Sequence, residues 1–556
     1  MDYPFRVKDI LAPLSGRIIF GEPDAAFGTY CIDSRFAKRD ALFVPLMGQK
    51  RDGHNFILDS FQNGATAALV RSGHHLVGEV LRVLKDSRGY VSADSARDET
   101  VIEVRHTLVA LQKLASWFRR QFDQLIVVGI TGSVGKTQTK EMLMQIMSPF
   151  YSVVGTDKNF NNEIGVPITL SKLRPDTECA VVEMAMRGRG EISLLSRIAQ
   201  PTLCLVTNTL GSHIGRLGSG SEVARAKAEI VDGMKAGNTL WLNFHDHNLA
   251  TLLHELHDKQ AIERGLNVRY FDVSAAARAA PHLPPLLIPG DDESDARPPF
   301  QDAEPSLWLD DVVYRGVEGS SFVLCSPEGR TPVELRVPGR GAVEDFCCAA
   351  TLARSLGVEY PDIAKSAKDI EPTPQRLVPY ELKPGVVLID DTYNSSPAST
   401  QDAIEILATF PRTTRLVVIL GDMLELGKFE TLLHRQISKQ VYQLPPSLVI
   451  GIGPRMSALR EVPVPEGFEL AWFHGISEED EKIAQGFPPA RQQDHSANHG
   501  EMVDDLTIDR VTERIFRELE GDKKETAILI KGSRALHLER VVDRLLSHFG
   551  KEEQIL

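Results

Sequence analysis

Residues 127–143 read VVGITGSVGKTQTKEML: an apolar run, a glycine-bounded turn, then a helical pattern. In the turn, Gly132, Ser133, Val134 and Gly135 can point backbone N–H groups at phosphate oxygens. Lys136 can reach the β- and γ-phosphates, and Thr137 can ligate Mg2+. The strict phosphate-loop pattern has a glycine where Ile130 stands, so this is a variant of it. Gly-Lys-Thr between a strand and a helix still reads as a nucleotide site rather than a structural turn. Such a loop names the phosphoryl donor and leaves the acceptor open.

Further polar residues fall at the ends of strand-like runs. Glu183 closes CAVVE, and Asn208 and His213 follow LCLVT. A carboxylate and an imidazole beside a triphosphate suit a second magnesium and its waters, although either alone is an ordinary strand-end residue. Lys227, in EVARAKAEIV, reads by itself as the polar face of a helix. The stretch NFHDHN places His245, Asp246 and His247 side by side, a spacing that cannot easily face one metal and reads as a loop. Later, LIDDTYNSSPAS sets Asp390, Asp391, Tyr393 and Asn394 at a strand end, where Ser395 or Ser396 before Pro397 suits a helix start. IKGSR places Lys531 and Arg534 where an anion can dock.

The elements that must hold these residues fall into three blocks. Residues 1–104 mix short strands and turns. An amphipathic helix, TLVALQKLASWFRRQF, then leads into the phosphate-loop strand and opens a second block, 105–372, in which strands alternate with helices. The third block, 373–556, repeats that rhythm with GVVLIDD, RLVVILGD, SLVIGIG and AILIKGS. The expected fold is α/β in three domains: a small N-terminal α/β domain, a central phosphate-loop domain with a doubly wound sheet, and a Rossmann-like C-terminal domain. In open parallel sheets ligands gather at the carboxyl ends of the strands, where the polar residues above fall. Two polar stretches, 279–302 and 486–505, look like inserted loops.

Composition narrows the function class. The chain has 556 residues, 42% hydrophobic and 25% charged, with a net charge of −14, which argues against broad nucleic-acid binding. Six cysteines without metal-ligand spacing suit a reduced compartment, and no run of 18 apolar residues occurs. A cytoplasmic, monomeric enzyme without membrane insertion is expected.

Taken together, the motifs resemble the Mur ligase family over nearly the whole chain. The resemblance rests on DSR (33–35), GITGSVGKTQTK (129–140), NFNNEIGVP (159–167), EMAMRGRGEI (183–192), TNTLGSHIGRLGS (207–219) and ARAKAEI (224–230). IDDTYNSSPAS, LGDMLELG and KGSR complete it and point to the members that add D-alanyl-D-alanine. The resemblance implies an ATP-dependent ligase of cytoplasmic peptidoglycan precursor synthesis. A UDP-N-acetylmuramoyl-tripeptide carboxylate would take the γ-phosphate, and the D-alanyl-D-alanine amine would displace phosphate from the acyl phosphate. It implies that Thr137 binds one magnesium and that Glu183 and His213 serve a second, helped by Lys227 as a carbamylated lysine. Asp33, Ser34 and Arg35 would lie in the UDP-binding region, and Asn161 and Asn162 would face the muramoyl-peptide. Arg376 and Asp391 would meet ATP when the domains close. Tyr393, Asn394, Lys531 and Arg534 would lie near the dipeptide.

The chain departs from the family at two places. Gly-Arg is usually followed by His-Asn-x-x-Asn beside the adenine, and here Gly341, Ala342 and Asp345 stand at those three positions. Pro-Gln-Arg replaces the usual Gly-Arg ahead of the third domain. The competing readings are a sibling ligase adding a different amino acid, a folylpolyglutamate-type synthetase, or a homologue that binds UDP-muramoyl-peptides without catalysis. A P-loop transporter ATPase or GTPase lacks support from any further motif.

Overall fold

A computed structural model describes residues 5–48, 51–88, 99–157, 159–210, 214–281, 283, 286, 304–464, 466–467, 469–474, 503–520 and 524–549. The fold is α/β, built on three mixed sheets, each with helices packed against it. Most of 279–302 and 486–505 lies outside the described residues; the second stretch re-enters at Val503, and Asp504 caps the helix Asp505–Leu519 by accepting from the Thr507 N–H at 2.8 Å.

The first sheet runs Arg17–Phe20, Thr100–Val104, Ala67–Arg71, Ala41–Phe43, Thr29–Cys31, parallel except for the antiparallel edge strand Arg17–Phe20. The amphipathic helix Thr107–Arg119 ties this sheet to the next. Its Phe118 meets Phe5 edge-on at 5.3 Å and Tyr30 at 5.5 Å, and the Tyr30 hydroxyl donates to the Pro167 carbonyl at 2.6 Å. Aromatic packing and a satisfied buried hydroxyl thus join the first domain to the second.

The middle sheet has nine strands. Seven are parallel, in the order Leu307–Tyr314, Asn267–Asp272, Thr239–Asn243, Leu203–Val206, Ile126–Thr131, Cys179–Glu183, Val153–Gly155. The hairpin strands Ser320–Ser326 and Gly329–Leu335 extend it antiparallel. Buried on both faces, the parallel strands read as near-continuous apolar runs, and the phosphate-loop strand is buried from Val127 onward. The chain leaves that strand for the Val153–Gly155 edge, returns through Cys179–Glu183, and crosses to Leu203–Val206 on the other side. The crevice opens at such a change of direction.

The last sheet runs Val378–Lys383, Val386–Asp391, Thr526–Lys531, Arg415–Gly421, Leu448–Ile452, Glu469–Phe473, parallel except for its first strand. Asp391 pairs in register with Lys531, which places both side chains at the carboxyl ends of neighbouring strands. The next helix, Pro397–Leu407, starts as expected, with Ser396 as its cap and Pro397 at its first position. All six cysteines are free.

Candidate active site

The carboxyl ends of the middle and last sheets face each other across a cavity of about 1120 Å³. The phosphate loop forms one wall and Asp391, Tyr393, Lys531 and Arg534 form the other.

The loop is shaped by contacts that admit no side chain at two positions. Gly132 has φ +149° and a Cβ there would lie 1.9 Å from Thr207 Oγ1; Gly135 has φ +89° and its Cβ would lie 2.0 Å from Asp345 Oδ1. The Asn208 carbonyl accepts from the Ser133 N–H at 2.9 Å, and its Oδ1 accepts from the Val134 N–H at 3.1 Å. Asn208, noted only as a strand-end residue, therefore braces the loop. Lys136 opens the helix Lys136–Met147 and curls back, donating to the Gly132 and Ser133 carbonyls at 2.8 and 3.0 Å. Burial, and then the nearby Arg376, lower its pKa, against the opposing charges of Glu183 and Asp345. Thr137 also lines the cavity.

Glu183 is 1% exposed. Its Oε1 accepts from Asn161 Nδ2 at 2.7 Å, while its Oε2 is buried without a hydrogen-bond partner. A relay to its main chain fixes the strand end that carries this carboxylate. Buried Lys140 donates to the Thr156 carbonyl, and Thr156 Oγ1 accepts from the Glu183 N–H at 3.1 Å. Lys140 stands four residues after Lys136, so one helix supplies both lysines.

Lys227 corrects the expectation drawn from its helix pattern alone. It is 1% exposed rather than on a solvated face, and among the described residues its side-chain amine forms no hydrogen bond or ion pair. Burial, reinforced by the Lys136 charge, drives its pKa well down, while Glu183 and Glu229 act against the shift. Glu229 is itself committed to the start of the helix Glu191–Ala199, accepting from the Gly190 N–H at 2.8 Å. His213 lies outside the described residues.

On the opposite wall Lys531, 1% exposed, donates to Asp391 Oδ2 at 2.5 Å and to the Asn394 carbonyl at 2.9 Å. Burial raises the Asp391 pKa, and Lys531 holds it back. The Arg376 guanidinium lies 4.4 Å from the centre of the Tyr393 ring and that of Arg534 5.8 Å from it. The two walls touch where a Cβ on Gly215 would meet the Gly427 nitrogen at 2.5 Å, and Arg216 pairs with Glu425 at 3.8 Å. That contact accounts for glycines in both GSHIGRLGS and LGDMLELG.

Other expected residues sit elsewhere. Asn162 is exposed, and its Oδ1 accepts from the Ile164 and Gly165 N–H groups at 3.2 and 2.8 Å, at the start of the helix Gly165–Ser171. Asp33, Ser34 and Arg35 lie on the first domain and do not line the cavity: Asp33 accepts from Arg35 Nη2 at 2.6 Å, and Ser34 is buried. Gly341, Ala342 and Asp345 do line it, at the start of the helix Arg340–Ser355. Burial, and then Glu344, push the Asp345 carboxyl well above its usual range.

Two histidine-bearing sites lie away from the cavity. Asp246 accepts from the Thr209 and Asn248 N–H groups at 2.7 and 2.9 Å, capping a loop as expected. In the first domain Asp52 joins His54 and His74 at 2.7 and 2.8 Å. His54 Nε2 and His74 Nδ1 accept from the Arg71 and Leu76 N–H groups at 3.1 and 3.3 Å. Both rings are thus tied to main-chain N–H groups on one side and to Asp52 on the other.

The sequence has relatives that match this arrangement. The profile described as Mur ligase family, catalytic domain, matches residues 29–119; that of the Mur ligase middle domain matches 130–280; and that of the Mur ligase, glutamate ligase domain, matches 375–534. A UDP-N-acetylmuramoyl-tripeptide–D-alanyl-D-alanine ligase of Synechocystis is 32% identical over 76% of this chain and 78% of its own. The chain belongs to the Mur ligase family. The Escherichia coli ligase of the same name is 27% identical over 94% of both chains. A crystal structure of MurF from Acinetobacter baumannii superposes with a TM-score of 0.74 at 23% identity, over 98% of this chain and 99% of that one, so the two share a fold. As a Mur ligase the protein is an ATP-dependent, amide-bond-forming enzyme of peptidoglycan synthesis. No described helix is long and apolar enough to cross a membrane.

Proposed function

We propose that this Mur ligase joins D-alanyl-D-alanine to a UDP-N-acetylmuramoyl-tripeptide through an acyl phosphate. The observation that carries the reading is the single cavity on which the phosphate loop and the Asp391–Lys531 wall converge. The relatives named for this reaction, aligned over most of the chain, supply the choice of substrates.

In this reading the triphosphate lies on the N–H groups of residues 132–137. Lys136 leaves its own loop carbonyls for the β- and γ-phosphates. Arg376 adds a second positive charge from the opposite wall, where the transferring phosphoryl group gathers charge. An oxygen of the tripeptide carboxylate attacks the γ-phosphorus and ADP departs. The dipeptide amine then attacks the acyl carbon, loses a proton, and expels phosphate carrying that carboxylate oxygen. Phosphorylation matters because a free carboxylate has no leaving group an amine can displace.

The residues also fit a divalent cation. Glu183 presents a buried oxygen with no hydrogen bond among the described residues, Thr137 a hydroxyl at the head of the phosphate-loop helix, and Lys227 a buried amine. His213 completes the proposed set. Magnesium bound there would neutralise phosphate charge. Carbamylation of Lys227 would turn a repelling cation into an oxygen donor suited to a hard ion. Asp33, Ser34 and Arg35 would hold the UDP end on the domain of residues 1–104, and Asn161 would face the muramoyl-peptide. Tyr393, Asn394, Lys531 and Arg534 would border the amine substrate on the domain of residues 373–556, which closes on the central domain of residues 105–372. Since both substrates are soluble precursors, the reading places the enzyme in the cytoplasm.

Phosphate release tests it. Rapid release is expected only with ATP, the tripeptide nucleotide and D-alanyl-D-alanine together. Equal release with single amino acids as the amine would make the protein a sibling ligase, and release with ATP alone would remove the reading.

A further inference from the structure

The link between the middle and last sheets holds an unusual backbone. Thr373-Pro374-Gln375-Arg376 forms a β-turn closed by the Arg376 N–H donating to the Thr373 carbonyl at 3.1 Å. Proline at the second position and φ +61° at the third is the pattern of a type II turn, whose third position calls for glycine. Gln375 occupies it instead. Leu377, on the far side of Arg376, is also left-handed at φ +52°. A side chain in this region is disfavoured by contact between Cβ and the following carbonyl, and persists where surrounding contacts over-determine it.

Those contacts are specific. The Gln375 carbonyl accepts from the Tyr393 N–H at 3.1 Å, and its Oε1 accepts from Arg534 Nη1 at 2.8 Å. Tyr393 is the ring beneath Arg376, and Arg534 is the second guanidinium on that ring. Arg376 itself has a buried Nε without a partner, and its guanidinium makes no hydrogen bond or ion pair among the described residues. Ring and turn therefore set its direction. Gln375 does not line the cavity, whereas Arg376, Tyr393 and Arg534 do.

We propose that Gln375 is a positioning residue: anchored on Arg534 and Tyr393, it locks the interdomain turn so that Arg376 is aimed, unpaired, at the nucleotide end of the cleft. The proposal rests on the reading above, in which ATP occupies the phosphate-loop side. It also assigns a use to the Pro-Gln-Arg that departs from the family's Gly-Arg. A glycine would enter the turn freely and leave it as freely; glutamine enters at a conformational cost and is held by its amide.

Three variants separate positioning from mere support. Gln375→Met keeps the length and the backbone demand but removes the acceptor. Gln375→Glu keeps an acceptor for Arg534. Gln375→Gly relieves the backbone and removes the side chain. Binding of a non-hydrolysable ATP analogue with magnesium is measured by calorimetry on the full chain, beside the melting temperature. The methionine variant should bind about tenfold more weakly, the scale of one charge-assisted hydrogen bond. The glutamate variant should stay within about threefold of the parent on the same scale. The glycine variant should melt no lower than the parent and still bind weakly. Parent-like binding by the methionine or glycine variant overturns the proposal while leaving the nucleotide site intact. Failure of the parent to bind the analogue removes the nucleotide site and this proposal with it.

Discussion

At the residue scale, the helix pattern around Lys227 and its surroundings give opposite answers, and the surroundings decide. Spacing in EVARAKAEIV suits a solvated lysine, but the fold buries it near Lys136 and Glu183 and leaves it without a partner among the described residues. A buried amine whose pKa is driven down is neutral more often, and only a neutral amine takes up carbon dioxide. Lys227→Ala should lower turnover about 10- to 100-fold, in line with the loss of a group that supports a metal, and acetate should restore part of it. Lys227→Arg should stay inactive. A carbamate resonance should appear in 13C-bicarbonate for the parent and vanish in the alanine variant. Near-normal turnover by the arginine variant would contradict the assignment. The phosphate loop, by contrast, was legible from sequence because its function lives in local backbone geometry. What holds Glu183 was not: Lys140 on the phosphate-loop helix acts through Thr156, and Thr156 and Asn161 reach Glu183 from one loop after the strand Val153–Gly155.

At the scale of elements, one helix pair joins the middle and last domains through charge. Arg340, at the start of the helix Arg340–Ser355, pairs with Asp402 and lies 3.0 Å from Glu405, both on the helix Pro397–Leu407. Two carboxylates share one guanidinium, and Glu344 stands 4.0 Å from the same group. Burial pushes Glu405 up to about 7, against the attraction of Arg340. A carboxyl raised on folding favours the folded state fully below its ordinary pKa of 4.5, and loses that contribution as pH rises through about 7. Glu405→Gln imitates the protonated form. Its melting temperature should match the parent near pH 5 and exceed it near pH 8, by no more than about 3 kcal/mol of stability. A difference that does not change with pH would show that Glu405 ionises normally. Sequence could not place this cluster, since its members lie some 60 positions apart and neither helix pattern marks them. The strand ends were a better guide: Glu183, Asp391 and Lys531 all reach the cavity from the carboxyl ends of parallel strands.

At the scale of the molecule, the middle and last sheets were legible because a buried parallel strand reads as an apolar run ended by polar residues, whereas residues 1–104 show only short strands and turns. The contact that brings two of them together was not, because Gly215 and Gly427 differ from other loop glycines only in what they approach. That approach places Lys136 and Lys531 on one cavity, where both half-reactions of the proposed function would occur. Oxygen transfer tests this claim most directly. The tripeptide carboxylate is labelled with 18O and turned over with ATP and D-alanyl-D-alanine, and the released phosphate is analysed by mass. An acyl phosphate formed and opened in this cavity predicts one labelled oxygen in each phosphate, with the other retained in the new amide. Unlabelled phosphate accompanying the same product would mean that water, and not the carboxylate, took the phosphoryl group, and would contradict the account.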